Sequence, residues 1–419
     1  MYLRPHQSKM FLLARSSVVT GRLSSCKRLM STATAFNDNR YGLTPEQIQL
    51  AEQCELFAEN EFKPFAAKWD AEKIFPEEAL RKAAGLGLGG MFVSEENGGS
   101  NLTRFDGSVV FEALAKGCTS TTAYLSIHNM CAWMVSEFGT PEQRERFLPK
   151  LVSMDWFASY CLTEPSSGSD AGSLRTTAKK TSSGDYVLNG TKAFISGGSR
   201  SDLYLIMART GSQESGPKGV TCFAVEAGTP GLSFGAQEKK LGWNSQPTCM
   251  VIMEDMVIPE KNRIGKEGEG FKLAMKGLDG GRLSIAACSI GAAKACYDAA
   301  LEHVKVREQF GKPLASNQTV QFKLADMGTS IHLSRLVLRH AAGLLDAKDP
   351  NATVHCAMAK KVATDLCFDV CDASMQLFGG YGYLKDYPIE RFLRDARVHR
   401  ILEGTNEVQQ MIMARDALK

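Results

Sequence analysis

The chain has 419 residues, 44% of them apolar, with 49 Lys and Arg against 46 Asp and Glu. That length suggests two or three domains around a large core, and the apolar fraction excludes a disordered chain. The formal charge of +3 comes from one end, because six cations (Arg4, Lys9, Arg15, Arg22, Lys27, Arg28) precede the first acid, Asp38; 49 less those six leaves 43 against 46, which gives no electrostatic case for nucleic-acid binding.

Residues 1–35 combine Arg, Lys and Ser with short apolar runs and no acid, the composition of a mitochondrial transit peptide. The apolar run Met10-Phe-Leu-Leu13 is short for a secretory signal and is followed by Arg15. No uncharged run approaches the ~20 residues that a membrane helix needs.

Residues 41–155 read as an N-terminal helical domain. Thr44-Pro45-Glu46-Gln47 is a helix start, with a capping Thr, Pro at the first helical position and Gln three after the cap. Helical segments are predicted from Pro76 to Ala84, from about Phe105 to Ala115, and from Thr119 to Phe138, the last buried. Pro141 to Phe147 reads as a short surface helix. Gly85-Leu-Gly-Leu-Gly-Gly90 satisfies G-x-G-x-x-G, but a nucleotide fingerprint needs a strand before it and a helix after it. A helix precedes it here and an extended turn follows, so a helix stop is the better reading.

Residues 156–265 change texture and read as a middle β domain. Asn189-Gly190, between apolar residues, signals a hairpin. Leu203–Met207, Val220–Val225 and Met250–Met253 are strand-like runs separated by turns, which suggests a small antiparallel barrel or sandwich. From 266 to 419 helical periodicity returns near 268–309, 317–346, 352–377 and 405–417, a C-terminal helical bundle. The order of helices, strands, helices is α+β and argues against a doubly wound parallel sheet. The 12 cysteines include no Cys-x-x-Cys, and the seven histidines no His-x-x-x-His. Buried thiols in a reducing compartment are expected, and a zinc site is not.

Three segments carry the chemistry. Arg397-Val-His-Arg-Ile-Leu-Glu-Gly-Thr-Asn-Glu407 sets Glu403 directly before a glycine, at the apparent start of the last helix. Gln376-Leu-Phe-Gly-Gly-Tyr-Gly-Tyr383 is a glycine-rich turn that can bring backbone close to a cofactor. Tyr160-Cys-Leu-Thr-Glu-Pro-Ser-Ser-Gly-Ser-Asp170 is a Ser/Gly segment at the entry to the strands. Taken singly, each has a plainer reading: a helix-start carboxylate, a turn, a linking loop.

Together, in order and spacing over about 41–419, they resemble the acyl-CoA dehydrogenase family. The resemblance implies an N-terminal helical domain, a middle antiparallel β-barrel domain and a C-terminal helical bundle. It also implies FAD as cofactor, an acyl-CoA substrate, electron transfer flavoprotein as oxidant, a homotetramer and the mitochondrial matrix. Cys118-Thr-Ser-Thr-Thr-Ala-Tyr-Leu-Ser-Ile-His-Asn-Met-Cys-Ala-Trp133 and Gly277-Leu-Asp-Gly-Gly-Arg282 resemble the branched-chain members. That likeness implies isobutyryl-CoA, with 2-methylbutyryl-CoA and butyryl-CoA as alternatives. An oxygen-reducing oxidase and a non-catalytic relative are the other classes weighed.

Residue by residue, the resemblance implies that Glu403 takes the α-proton while the β-hydrogen leaves as hydride to the flavin. Tyr160, Cys161, Leu162, Thr163 and Ser169 would line the flavin, with Ser169 also touching acyl-CoA. Phe194, Ile195 and Ser196 would face the flavin's other side. Arg307, Asn317 and Gln318 would hold the FAD diphosphate and adenine, often across a subunit boundary. Gln376, Leu377, Phe378, Gly379 and Gly380 would contribute to the same cofactor, as would Thr405, Asn406 and Glu407. Asp279, Gly280, Gly281, Arg282, Gly404 and Arg415 would contact acyl-CoA. Some relatives carry the base at the position matching Gly281, and glycine cannot serve there.

Overall fold

The computed structural model describes residues 40–419, so the transit-peptide expectation for 1–35 lies outside the described residues. The first helix, α1 (Pro45–Phe57), opens on the expected capping box: Gln47 N–H donates to Thr44 Oγ1 and Thr44 N–H to Gln47 Oε1. α2 (Ala66–Glu72) was not expected; it is one short charged segment with two buried residues, Ala66 and Trp69. α3 (Glu77–Gly85) ends at the glycines as read, and a 3-10 turn over Leu88–Gly90 follows it, with no strand before.

α4 (Arg104–Ala115) and α5 (Thr119–Phe138) are buried along most of their length. α6 (Pro141–Val152) corrects the expectation of a short surface helix. It continues through Pro149 and buries Phe147, Leu148 and Leu151 against the sheet side of the core.

Eight strands then form one sheet among the described residues. They are β1 (Ala158–Cys161), β2 (Thr177–Lys180), β3 (Tyr186–Ser196), β4 (Leu203–Arg209), β5 (Val220–Glu226), β6 (Leu232–Phe234), β7 (Thr248–Ile258) and β8 (Arg263–Ile264). The path is β6-β7-β3-β2-β4-β5-β8, with β1 beside β4. The sheet is mixed rather than antiparallel, because β1 and the end of β2 pair parallel to β4.

Asn189-Gly190 is not a hairpin turn. β3 runs straight through it, with a register shift against β7 between Leu188 and Gly190. Gly190 has φ +150°, and a Cβ there would strike Thr176 at 2.5 Å, so the glycine serves a bulge and a close approach. The turn that joins β2 to β3 lies at Thr181–Asp185.

β4 explains its own unbroken apolar run. Leu203, Leu205 and Met207 face the core shared with α5 and α6, while Tyr204, Ile206 and Ala208 face the sheet's other core with Tyr186, Phe223 and Val251. A strand covered on both faces needs no polar alternation.

The chain ends in helices α7 (Gly270–Val306), α8 (Gln318–Asp346), α9 (Ala352–Phe378), α10 (Ile389–Arg397) and α11 (Asn406–Ala417). A small hairpin of β9 (Glu308–Gln309) and β10 (Lys312–Pro313) precedes α8. α10 was not expected as a separate helix. α7, at 37 residues, packs on α4, α5, α8 and α9 and is the axis of the main core. Every cysteine among the described residues is free and buried.

Candidate active site

The segment after α10 is pinned before it reaches Glu403. His399 is fully buried; its Nδ1 pairs with Ser289 Oγ of α7 at 2.7 Å, and its Nε2 accepts from Trp243 Nε1 at 3.3 Å. Trp243 N–H in turn donates to Asp395 of α10 at 2.6 Å. Glu403 and Gly404 then both adopt left-handed backbone, φ +57° and +82°. For a glutamate that conformation costs on the order of 1–3 kcal/mol unless its surroundings enforce it.

The surroundings do enforce it. Gln409 Nε2 donates to Glu403 O at 3.1 Å and to Gly404 O at 2.8 Å. Lys360 Nζ, from α9, donates to Gly404 O at 2.9 Å and to Asn406 Oδ1 at 2.8 Å. Thr405 caps α11 by accepting from Val408 N–H.

This turn sends the Glu403 carboxyl back onto α7 at Gly281, where a Cβ would lie 2.7 Å from Cδ. Burial pushes the Glu403 carboxyl up to about 7, against the pull of the Arg282 and Lys360 charges. Glu403 Oε2, Tyr160 Oη, Arg282 Nε and Gln409 Oε1 are all buried without a protein partner, and among the described residues the Glu403 backbone N–H has no backbone partner either. Buried polar groups are ordinarily satisfied, so orphans gathered around one carboxylate mark a place built to receive a polar ligand.

Gly277, Gly280 and Gly281 share one face of α7. Met134 lies over Gly277, where a Cβ would meet its Sδ at 3.1 Å, and a Cβ on Gly280 would meet the Arg104 guanidinium at 2.5 Å. Arg104 is held between the rings of Phe92, at 4.0 Å, and Trp133, at 4.6 Å. Burial lowers its pKa to about 10. Asp279 is taken up by Arg282 at 2.6 Å and Thr353 at 2.7 Å. The expected acyl-CoA patch therefore divides, with Gly281 and Arg282 beside the Glu403 carboxyl and Asp279 orienting Arg282. Arg415 is exposed on α11.

The two expected flavin segments meet. Ala193 N–H donates to Thr163 O at 2.8 Å, and Ser159 Oγ, beside Tyr160, donates to Ser196 O at 2.6 Å. β3 is irregular between Lys192 and Ile195, and there Phe194 takes φ +57° and stands 68% exposed on a strand that is otherwise largely buried. A flat exposed ring on the segment bonded to Thr163 suits a planar heterocycle, so these residues fit a flavin. Cys161, Leu162 and Ile195 are buried and present only backbone; Ser169 is exposed.

Sequence reading missed what joins these segments. Lys192 Nζ, fully buried, donates to Glu164 Oε1 at 2.7 Å and to Leu162 O at 3.1 Å. Glu164 also accepts from Arg175 N–H at 2.6 Å and Thr176 N–H at 2.9 Å. The only clue was a lysine at an inward position of a strand.

The remaining expected cofactor residues gather elsewhere. The Arg307 guanidinium sits 5.5 Å over Tyr381, and Phe378 stacks on His303 at 4.2 Å, so the end of α7 meets the glycine turn. Leu377 and Phe378 put their side chains in the core, while Gly379 and Gly380 are open, with nothing within 4 Å of an added Cβ. Gln318 and Gln376 are exposed, and Asn317 Oδ1 caps α8 by accepting from Thr319 N–H at 3.0 Å. At 1.5 Å per residue, Arg307 lies about 37 Å along α7 from Arg282, and Gln376 about 24 Å along α9 from Lys360. Within one chain the two groups form separate places. Near Glu403, the Asn406 side chain is occupied by Lys360, Thr364 and Asp365, and Glu407 is exposed.

No group of metal-ligating side chains occurs among the described residues, and no helix there is long and apolar enough to cross a membrane. Family models described as the N-terminal, middle and C-terminal domains of acyl-CoA dehydrogenase match residues 44–155, 159–256 and 268–418. The mitochondrial isobutyryl-CoA dehydrogenase of Dictyostelium discoideum is 57% identical over 94% of this chain and 95% of its own length. That of Bos taurus is 54% identical over 91% of each. The solved butyryl-CoA dehydrogenase of Megasphaera elsdenii superposes with a TM-score of 0.88 at 38% identity, covering 90% of this chain and 100% of that one.

Proposed function

The chain belongs to the acyl-CoA dehydrogenase family and is an FAD-dependent oxidoreductase of acyl-CoA thioesters, and on that premise we propose that its substrate is isobutyryl-CoA and its base Glu403. The product of that reaction is methacrylyl-CoA. One observation carries the reading: a half-buried glutamate whose Oε2 is buried without a partner and whose carboxyl is raised to about 7, turned onto a bare helix face with its own backbone N–H unpaired among the described residues.

An α-C–H is a weak acid and yields its proton only when the enolate oxygen is stabilised as charge develops. The Glu403 N–H is placed to donate to that thioester oxygen while the carboxylate of the same residue takes the α-proton. Gly404 adds no side chain to crowd the thioester, and Arg282 supplies positive potential beside it. A base with a pKa near the working pH is favoured for such a transfer. FAD, when bound, supplies the acceptor for the β-hydrogen as hydride. Phe194, Thr163 and the backbone of Tyr160–Thr163 would hold its ring system, and the oxidant that follows would be electron transfer flavoprotein.

Arg307, Asn317, Gln318 and Gln376–Gly380 lie too far from Glu403 to complete its site within the chain, which supports the diphosphate and adenine being held across a subunit boundary. The exposed Phe310, at 102% of reference, and the exposed Phe322, Leu333 and Leu336 of α8 support a buried contact in a homotetramer. The mitochondrial relatives support a place in the mitochondrial matrix.

The test is anaerobic titration of the FAD-loaded protein with isobutyryl-CoA, 2-methylbutyryl-CoA and butyryl-CoA, following flavin bleaching. Strongest bleaching with isobutyryl-CoA is expected. Stronger bleaching with another thioester would move the substrate, and none with any of them would remove the reading.

A further inference from the structure

We propose that Lys360 is the positioning residue for the base: from beneath the Glu403–Gly404 turn it holds that turn by two hydrogen bonds, and its charge sets how readily Glu403 releases its proton. The inference rests on the reading of Glu403 as the base.

Lys360 is fully buried, an unusual place for a lysine, which is seldom buried unless paired. Among the described residues no carboxylate forms an ion pair with it. Its Nζ instead reaches the carbonyl of Gly404 and the Oδ1 of Asn406, the residues one and three positions beyond Glu403. Asn406 is itself fixed by α9, with Nδ2 donating to Thr364 at 3.0 Å and to Asp365 at 2.9 Å. One helix therefore grips the turn at Gly404 and again at Asn406, and the left-handed pair cannot relax without breaking these bonds.

The charged and titratable groups facing this point come from several elements. Around Glu403 they are Arg282 of α7, Lys360 of α9, Tyr160 of β1 and Cys131 of α5. Around Lys360 they are Glu403, Arg282, Asp365, Glu407 and His399. Burial moves Lys360 down to about 7, so its charge is variable near neutral pH. Its grip is not: a neutral amine retains two N–H donors, one for each acceptor it now serves. Position and charge are thus separable functions of one side chain. When charged, Lys360 favours the Glu403 carboxylate and lowers its proton affinity.

The experiment compares full-length, FAD-loaded wild type with K360R, K360Q and K360M, using E403Q as control. The pH dependence of kcat/KM for anaerobic flavin reduction is read beside FAD content and melting temperature. In K360Q the acid limb is expected to move up by about one pH unit, the scale of a nearby charge. K360R should restore the wild-type limb. K360M should show the K360Q shift and an alkaline plateau lowered about tenfold, because the turn is no longer held.

An inactive E403Q together with a wild-type limb in K360Q and K360M would overturn the electrostatic role. An unchanged plateau in K360M would overturn the positioning role. An active E403Q would instead remove the base assignment on which both rest. If K360M loses FAD, the contrast between K360R and K360Q decides, since a purely structural lysine would not move a pH limb in one and restore it in the other.

Discussion

The Glu403 carboxyl lies directly on the backbone of Gly281: a Cβ there would fall 2.7 Å from Cδ and closer still to Oε2. The absence of a side chain on α7 thus makes the room in which the Glu403 carboxyl sits. Gly281→Ala is expected to lower kcat at least about 100-fold while FAD remains bound, since displacement of a reacting group by about 1 Å has that effect. Stopped-flow flavin reduction and the flavin spectrum of the purified variant check both parts. Wild-type kcat in this variant would show that the carboxylate can act from elsewhere.

With the Glu403 carboxyl raised to about 7, kcat/KM should fall tenfold per pH unit below that point and level off above it, because only the carboxylate accepts a proton. Glu403→Gln should remove on the order of 10²–10⁴-fold of the rate at every pH. The stability effect has the opposite sense. A raised acid pKa stabilises the folded state at low pH, and that contribution is lost as pH rises through about 7. At pH 8 the Gln variant should therefore melt above wild type, a difference that differential scanning calorimetry would detect.

Two histidines set the acid limit. Burial lowers His128 to about 4 and His399 to about 3, so both are neutral in the folded protein. Folding gains from this above the unfolded value near 6.5, and the gain disappears as pH falls from there toward the depressed values. His128 alone accounts for about 3 kcal/mol across that window. Melting temperature should drop steeply between pH 6.5 and 4, and more shallowly in His128→Gln. Equal slopes would place the acid-sensitive group elsewhere.

The Lys192–Glu164 pair predicts a different failure. Lys192→Met strands a carboxylate that is 4% exposed, at a cost of about 3–5 kcal/mol, and loosens the contact between the Thr163 and Phe194 segments. The purified variant should melt well below wild type and carry less FAD. Glu164→Gln, which leaves one acceptor oxygen where the Arg175 and Thr176 N–H groups now use two, should also melt below wild type. Full flavin occupancy in Lys192→Met would contradict the joining role.

Legibility from sequence followed the range of the interactions. The α1 cap, the buried run of α5 and the long helices α7 to α9 are local in origin and were readable. Asn189-Gly190 misled because a glycine required by Thr176, just before β2, has the same local signature as one required by a turn. α10 was hidden because its apolar positions, Ile389, Phe392, Leu393 and Ala396, stand among Arg and Asp residues that are themselves buried by distant partners. Glu403 was found through resemblance, but not its left-handed backbone. Lys360, Arg104 and the Lys192–Glu164 pair act between residues far apart in the chain, which a local pattern does not record.

The row of Gly277, Gly280 and Gly281 has a bearing on how this enzyme could be improved. Each glycine in a helix interior forgoes about 1 kcal/mol relative to alanine. A library selected for heat resistance alone would be drawn to such positions. On α8, Gly343 is exposed, with nothing within 4 Å of an added Cβ, and accepts the exchange without loss. On α7 the same exchange fills the space that Met134, Arg104 and the base occupy. Selection for endurance and selection for turnover would therefore agree at one helix and oppose each other at the next.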